Sequence, residues 1–143
     1  GTAVDINGIP SCAKKVTVML VGVSTNGTSP ILIQIGDSGG IETSGYLGSV
    51  SGLTASNALS AGFTLGISGQ EAAGDIEHGM VQIQSFGANT YVAIGFLGQS
   101  NEGRVVQMAG SKTLTSTLDQ IRVTTTGGTD TFDAGTINVM YEG

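Results

Sequence analysis

The chain has 143 residues, of which only 11% are charged, and its formal net charge is −6. A negatively charged chain gains no affinity by neutralising phosphates, so the composition argues against nucleic acid and against an anionic bilayer as partners. The sequence also lacks the run of about 18 apolar residues that a membrane-spanning helix requires, so no membrane insertion is predicted.

Apolar residues recur at every second position through most of the chain, which is the pattern of β-strands. The pattern predicts no long helix and a strand at each of residues 2–6, 14–23, 30–36, 43–51, 61–67, 77–85, 90–98, 104–112, 118–126 and 134–142. At this length we expect one all-β domain over residues 1–143, formed as a sandwich of two antiparallel sheets.

Three turns that contain glycine are predicted to be hairpins between neighbouring strands. They lie at residues 25–28, 37–40 and 126–129, and their residue types tolerate the backbone angles of tight turns. The least patterned segment, residues 48–62, is predicted to be a long surface loop with at most one helical turn.

The alternation assigns one face of the strands to the core. The residues predicted to point inward are Val16, Val18, Leu20, Ile31, Ile33, Ile35, Val81, Ile83, Ile121, Val123, Ile137, Val139 and Tyr141. The strand at residues 14–23 is also apolar on its opposite face, at Met19, Val21 and Val23. Such a strand is either covered by a loop or buried against another copy of the chain, and because contiguous exposed apolar surface usually marks an interface, self-association of the chain is expected.

The sequence offers little for catalysis or for a metal site. It contains one cysteine, Cys12, and one histidine, His78, which fall short of a catalytic triad or a four-ligand zinc site. Cys12 has apolar neighbours and is predicted to be a small buried side chain. No nucleotide-binding glycine motif is present, so no cofactor and no metal are predicted.

Asp130 and Asp133 are the best candidates for a pair of carboxyl groups with a functional role. Three interpretations remain open: hydrogen bonds that shape a turn, Ca²⁺ coordination, and glycoside hydrolysis. We favour the first, because short acidic loops of this kind usually serve turn geometry. The chain is therefore not expected to be an enzyme.

Two stretches are characteristic when taken together: the Val-Ser-Thr-Asn-Gly-Thr-Ser run at residues 23–29 and the Gly-Thr-Asp-Thr-Phe-Asp-Ala-Gly run at residues 128–135. With their flanks (residues 9–29 and 118–139) and residues 34–46, they resemble the C-terminal β-sandwich domain of bacteriophage and prophage tail fibres and tailspikes. The resemblance implies a jelly-roll-like C-terminal module of a longer fibre protein, at the distal end of a homotrimer. It also implies a place in the virion tail, made in the host cytoplasm and extracellular once assembled.

The function implied by the resemblance is non-catalytic receptor binding, with bacterial cell-surface polysaccharide as the ligand. The alternatives are a structural trimerisation cap and, third, an embedded glycosidase. We expect a ligand surface on loops rather than on the sheets, because rigid scaffolds usually carry recognition residues on loops. Residues 69–78 match the family less clearly, as a loop that varies with the receptor would.

Sugar recognition calls for amides and carboxylates that pair with hydroxyl groups, beside an aromatic face. The predicted ligand-binding residues that offer these groups near loops are Tyr46, Asn57, Asp75, Glu77, His78, Asn89, Tyr91 and Asn101.

Overall fold

The computed structural model describes residues 1–143 and contains twelve strands. They are β1 (Val4–Asn7), β2 (Lys15–Thr25), β3 (Ile31–Asp37), β4 (Gly40–Ile41), β5 (Leu47–Ser51), β6 (Ser56–Ala58), β7 (Phe63–Leu65), β8 (Glu77–Gly87), β9 (Thr90–Gln99), β10 (Arg104–Thr113), β11 (Gln120–Thr125) and β12 (Phe132–Glu142). No helix capable of crossing a membrane is formed.

The strands form two antiparallel sheets that pack face to face. The five-stranded sheet has the order β1-β11-β3-β4, with β7 also paired to β3, and the seven-stranded sheet has the order β12-β2-β8-β9-β10-β5-β6. The predicted all-β, antiparallel two-sheet sandwich is therefore confirmed.

The core lies between the sheets as one cluster of 25 buried apolar residues. Val18 and Val81 enter it from the seven-stranded sheet, and Ile33 and Ile121 enter it from the five-stranded sheet. All predicted core residues of β2, β3, β8 and β11 are buried. Those of β12 are not, because β12 is an edge strand: Ile137 and Val139 are half-buried, and the prediction for Tyr141, which is 51% exposed, is wrong.

A β-bulge in β2 corrects the prediction for Val23. The register between β2 and β8 shifts between Leu20 and Val23, so that Val21 and Gly22 together stand opposite His78. Gly22 has a φ of 64°, the left-handed conformation in which glycine is favoured at such bulges. The extra residue returns Val23 to the core, where it is 1% exposed, whereas Val21 is 63% exposed as predicted.

Two of the three predicted hairpins instead connect different sheets. Residues 25–28 lead from β2 to β3 and residues 126–129 lead from β11 to β12, and each pair of strands is split between the sheets. Only residues 37–40 form a hairpin, in which Asp37 pairs with Gly40. The turn residues were identified correctly, but a turn's chemistry does not specify which sheet the next strand joins.

The predicted long loop at residues 48–62 is partly wrong. It contains most of β5 and all of β6, which pair through Ser49–Ala58, Val50–Asn57 and Ser51–Ser56. The turn between them is closed by the amide of Gly52, which donates to the carbonyl of Ala55 at 2.9 Å. The alternation is weak here because the three residues of β6, Ser56, Asn57 and Ala58, are all exposed and none is a large apolar residue.

Candidate functional site

The outer face of the seven-stranded sheet, which points away from the core, carries most of the large exposed apolar side chains. We call this surface the outer face and define it by nine exposed residues: Val21, Leu47, Met80, Phe86, Val92, Ile94, Phe96, Val105 and Met140. Contiguous apolar surface of this kind marks a binding or assembly site in a soluble protein.

The strand register places these side chains in rows across the sheet. Met19, Met80, Phe96 and Gln107 are successive neighbours on β2, β8, β9 and β10. Ile94 lies in the adjacent row, between Gln82 and Ala109. Because paired residues of antiparallel strands share a face, the side chains of these two rows are neighbours, and all of them are apolar or carry an uncharged amide.

Two shallow grooves flank Ile94. The first has a volume of about 230 Å³ and lies between the amides of Gln82 and Gln84 and the ring of Phe86. The second, of about 380 Å³, lies between Phe96 and a strip of uncharged polar residues (Ser49, Ser51 and Gln107). Neither groove is lined by a charged residue, so both favour a neutral partner.

Charged side chains lie at the margins of the outer face. At one end, Lys15 Nζ is 3.6 Å from Glu142 Oε2. At the other end, His78, Val105 and Arg104 line a third shallow depression. The central part of the face is thus uncharged, although the whole chain has a net charge of −6.

The two predicted aromatic contacts, Tyr46 and Tyr91, are buried, so the expectation that they present an accessible ring is wrong. The Tyr46 hydroxyl accepts a bond from the Ile35 amide at 2.8 Å and donates to the Glu42 carbonyl at 2.8 Å. Its ring meets Phe63 edge-on, with ring centroids 5.0 Å apart. Burial raises the pKa of Tyr46 to about 12. Tyr91 uses its hydroxyl to accept a bond from the Leu118 amide at 2.9 Å.

Asp75 and Glu77 are also buried, which corrects their placement on an accessible loop. They belong to a network with Glu71, Gln99 and Arg104 that fastens residues 66–76 to the ends of β8, β9 and β10. Burial in this network raises the pKa of Glu77 to about 8. The predicted exposure is wrong because Asp and Glu side chains are usually solvated, and the sequence near Asp75 and Glu77 does not show which distant residues pack against them.

The other four predicted residues are not brought together. Asn57 is exposed on β6, and His78 is exposed on β8 at the margin of the outer face. Asn89 occupies the turn between β8 and β9 with a φ of 58°. Asn101 uses both ends of its amide on the chain itself, by accepting from the Ile76 amide at 2.9 Å and donating to the Gly74 carbonyl at 3.1 Å.

The sequence contained an unused signal for the outer face. Residues 91–97 of β9 are apolar at nearly every position, and the structure buries Tyr91, Ala93 and Leu97 while exposing Val92, Ile94 and Phe96. A central strand that is apolar on both faces indicates that the second face is covered or binds something. The apolar run of β9 is thus a second signal of the same kind as that of β2.

The chemistry available elsewhere is limited. The cavity beside Glu71, Asp75 and Glu77 has a volume of about 10 Å³, which admits roughly one water molecule and no sugar ring. No group of three or more His, Cys, Asp or Glu side chains is arranged to hold a metal ion.

Asp130 shapes a turn, since its carboxylate accepts a bond from the Ser29 amide at 2.8 Å. Cys12 is exposed, so the prediction of a buried side chain is wrong.

Comparisons with protein-family models, with curated proteins and with solved structures found no match. The outer face and the two grooves that it contains are therefore the features of the molecule that bear on its function.

Proposed function

We propose that this domain is a non-catalytic assembly module that self-associates through the outer face, within a homotrimeric fibre of the kind that the resemblance implies. The observation that carries the proposal is that nine large apolar side chains are exposed on one sheet face. The sandwich already has a complete core between its sheets. The outer face is therefore not needed for folding, and its burial in an assembly would remove apolar surface from water.

A second copy of the chain is the partner that best fits this face. Because two chains that each carry a charge of −6 repel one another, they associate at the lowest electrostatic cost through a contact surface that is free of like charge. The centre of the outer face meets that condition, because its charged residues lie at the margins. Subunit interfaces of homo-oligomers are also more apolar than transient ones.

Light scattering after size-exclusion chromatography tests the proposal. The expected species has three times the chain mass of 14.3 kDa. Ile94→Lys places a charge at the centre of the outer face and should yield a monomer. Leu53→Lys is the matched control: Leu53 is 71% exposed but lies in the turn between β5 and β6, so this variant should keep the mass of the wild-type protein. A monomeric wild-type protein at high micromolar concentration would contradict the proposal.

Receptor binding is the second candidate, and the groove beside Phe86 favours it. Gln82 and Gln84 offer amide donors and acceptors next to an aromatic ring that is 79% exposed. A neutral polysaccharide presents hydroxyl groups and apolar ring faces that pair with such a site. In this role the module would stand on an assembled virion tail and contact bacterial surface polysaccharide.

Calorimetry with a soluble oligosaccharide from the host surface separates the two candidates. If the groove binds sugar, Phe86→Ala should weaken the affinity about fivefold, the equivalent of roughly 1 kcal/mol, without changing the oligomeric mass. Val105→Ala, at the other end of the outer face, should leave the affinity unchanged. A non-catalytic module should release no reducing ends during the incubation. Absence of binding to a panel of host polysaccharides would leave assembly as the sole function.

A further inference from the structure

The segment between β7 and β8, residues 66–76, is attached to the sandwich by side chains and by two backbone hydrogen bonds: the Gly74 amide donates to the Thr25 carbonyl at 3.2 Å, and the Ile76 carbonyl accepts from the Ser100 amide at 2.9 Å. We call it the latch segment. Only Ile67 of this segment belongs to the apolar core cluster. Gly69 and Gly74 have positive φ values of 86° and 84°, and of the four residues between them Ala72 and Ala73 are exposed whereas Gln70 and Glu71 are half-buried. Residues 68–76 of the latch segment can therefore move while Ile67 stays in the core.

A network of five side chains fastens the latch segment to the strand ends. Gln99, the last residue of β9, donates through its amide nitrogen to Glu71 Oε2 at 2.5 Å and to Glu77 Oε1 at 3.1 Å. Its amide oxygen accepts a bond from Arg104 Nε at 2.6 Å. Arg104 also lies within 3.6 Å of Glu71 and 3.4 Å of Asp75. Every one of these contacts crosses between the latch segment and β8, β9 or β10, or joins two of those strands.

The charges of this network do not balance. Three carboxyl groups (Glu71, Asp75 and Glu77) face one guanidinium, that of Arg104, and the four side chains are largely buried. From the neighbouring strands, Glu77 is paired with Val23 of β2 and with Gln99 of β9, neither of which carries charge. His78 follows Glu77 on the strand and faces the opposite side. Like charges this close cannot all ionise at low cost, so the closed network retains a proton.

We propose that the latch segment is a pH-responsive element, closed while the Glu71–Glu77 carboxyl pair holds one proton and opening with the loss of that proton as the pH rises. In the open segment Glu77 is solvated and ionises as an ordinary glutamate. In the closed segment its burial, and then its proximity to Glu71 and Asp75, raises its pKa to about 8. The closed form thus binds the proton more tightly, and rising pH favours the open form.

The sign and range of the effect follow from linkage. Opening is independent of pH below the pKa of a solvated glutamate, which is 4.5. Between that value and about 8, the equilibrium constant for opening rises by up to about tenfold for each pH unit. Above that range both forms are ionised and the constant levels off. The opening is local, because the contacts that it breaks lie within residues 66–77, at the ends of β9 and β10, and at Thr25, the last residue of β2.

Hydrogen exchange at individual amides of the full chain, read as protection factors between pH 5 and pH 9, tests the proposal. The amides of Ile67 and Ala72 should lose protection steadily up to about pH 8, and the amides of β2 and β3 should not. Glu77→Gln keeps the size and hydrogen-bonding capacity of the side chain and removes its ionisation, so its latch segment should stay protected across the range. Glu102→Gln changes an exposed carboxyl in the adjacent turn and should behave as the wild-type protein does.

A carboxyl titration of the wild-type protein by carbon-13 NMR keeps the proposal testable if Glu77→Gln fails to fold. The Glu77 carboxyl should titrate well above its usual value of 4.5. Titration at that usual value, or latch protection that does not change with pH, would overturn the proposal. These outcomes are independent of the mass measured for Ile94→Lys, so the latch and the proposed assembly can fail separately.

Discussion

At the β-bulge where β2 pairs with β8, the backbone amide of Gly22 donates a hydrogen bond to Nδ1 of His78 over a distance of 3.2 Å. The bond fixes the point at which β2 gains its extra residue. Beyond this point the inward and outward positions of β2 exchange, which puts Val23 in the core.

Gly22→Ala should destabilise the fold by about 1–2 kcal/mol, the cost of a left-handed conformation for a residue with a Cβ atom. Space is not the reason, since an added Cβ would lie 3.9 Å from the nearest atom, His78 Cε1. Gly98→Ala, directly opposite His78 on β9, is the control because its φ is not positive and its Cβ would lie 3.7 Å from the nearest atom. Urea denaturation should distinguish the two variants; equal stabilities would count against strain at the bulge.

The bulge also predicts unequal effects for two valines that are close in sequence. Val23→Ala removes buried methyl groups and should lower the free energy of unfolding by about 2 kcal/mol. Val21→Ala changes a side chain that is mostly exposed and should alter it by less than about 0.5 kcal/mol. Denaturation of both variants in dilute solution measures this difference. The reverse order would show that β2 has no register shift at this position.

Tyr46 serves the core rather than a ligand, so removal of its hydroxyl should affect stability. Tyr46→Phe leaves the buried Ile35 amide without the partner that it has at 2.8 Å, and an unsatisfied buried donor costs about 1–3 kcal/mol. Tyr141→Phe is the matched control, because Tyr141 is exposed on the edge strand β12. Thermal unfolding should show a lower Tm for Tyr46→Phe alone. A Tm unchanged from the wild-type protein would contradict the buried hydrogen bond.

Acid should weaken the fold in part through Asp37. The Thr115 hydroxyl, followed by the Gly39 amide, donates to this carboxylate and lowers its pKa below 3.8. A lowered pKa in the folded state stabilises the fold above the unfolded value, and this contribution is lost as the pH falls through the folded value.

Thr115→Val removes the donating hydroxyl and therefore tests this linkage. The stability difference between the wild-type protein and Thr115→Val should be largest near neutral pH and should shrink as the pH falls below about 4. Thr115→Ser keeps the hydroxyl and should retain the pH dependence of the wild-type protein. Denaturation at a series of pH values provides the measurement, and a difference that stays constant with pH would refute the linkage.

Much of the architecture was predictable because the local alternation of apolar and polar residues indicates where strands form. The predicted core residues of β2, β3, β8 and β11 are buried because a period of two on a strand fixes which side chains share a face. The same local information located the turns at residues 25–28 and 126–129. It could not show that these two turns connect the two sheets, because strand pairing is decided by contacts between residues far apart in the chain.

The sequence by itself determined a β-sandwich with one apolar core and a surplus of apolar residues on β2. Only the tertiary structure decided where that surplus becomes a surface: it aligns Met80 and Phe96 beside Met19 on one uncharged face. It also decided that Tyr46 and Glu77 are interior residues, since each packs against residues that are remote in sequence. The physical reason is that alternation along a strand is a property of neighbours. Burial, by contrast, depends on which distant residues of the folded chain pack against that face of the strand.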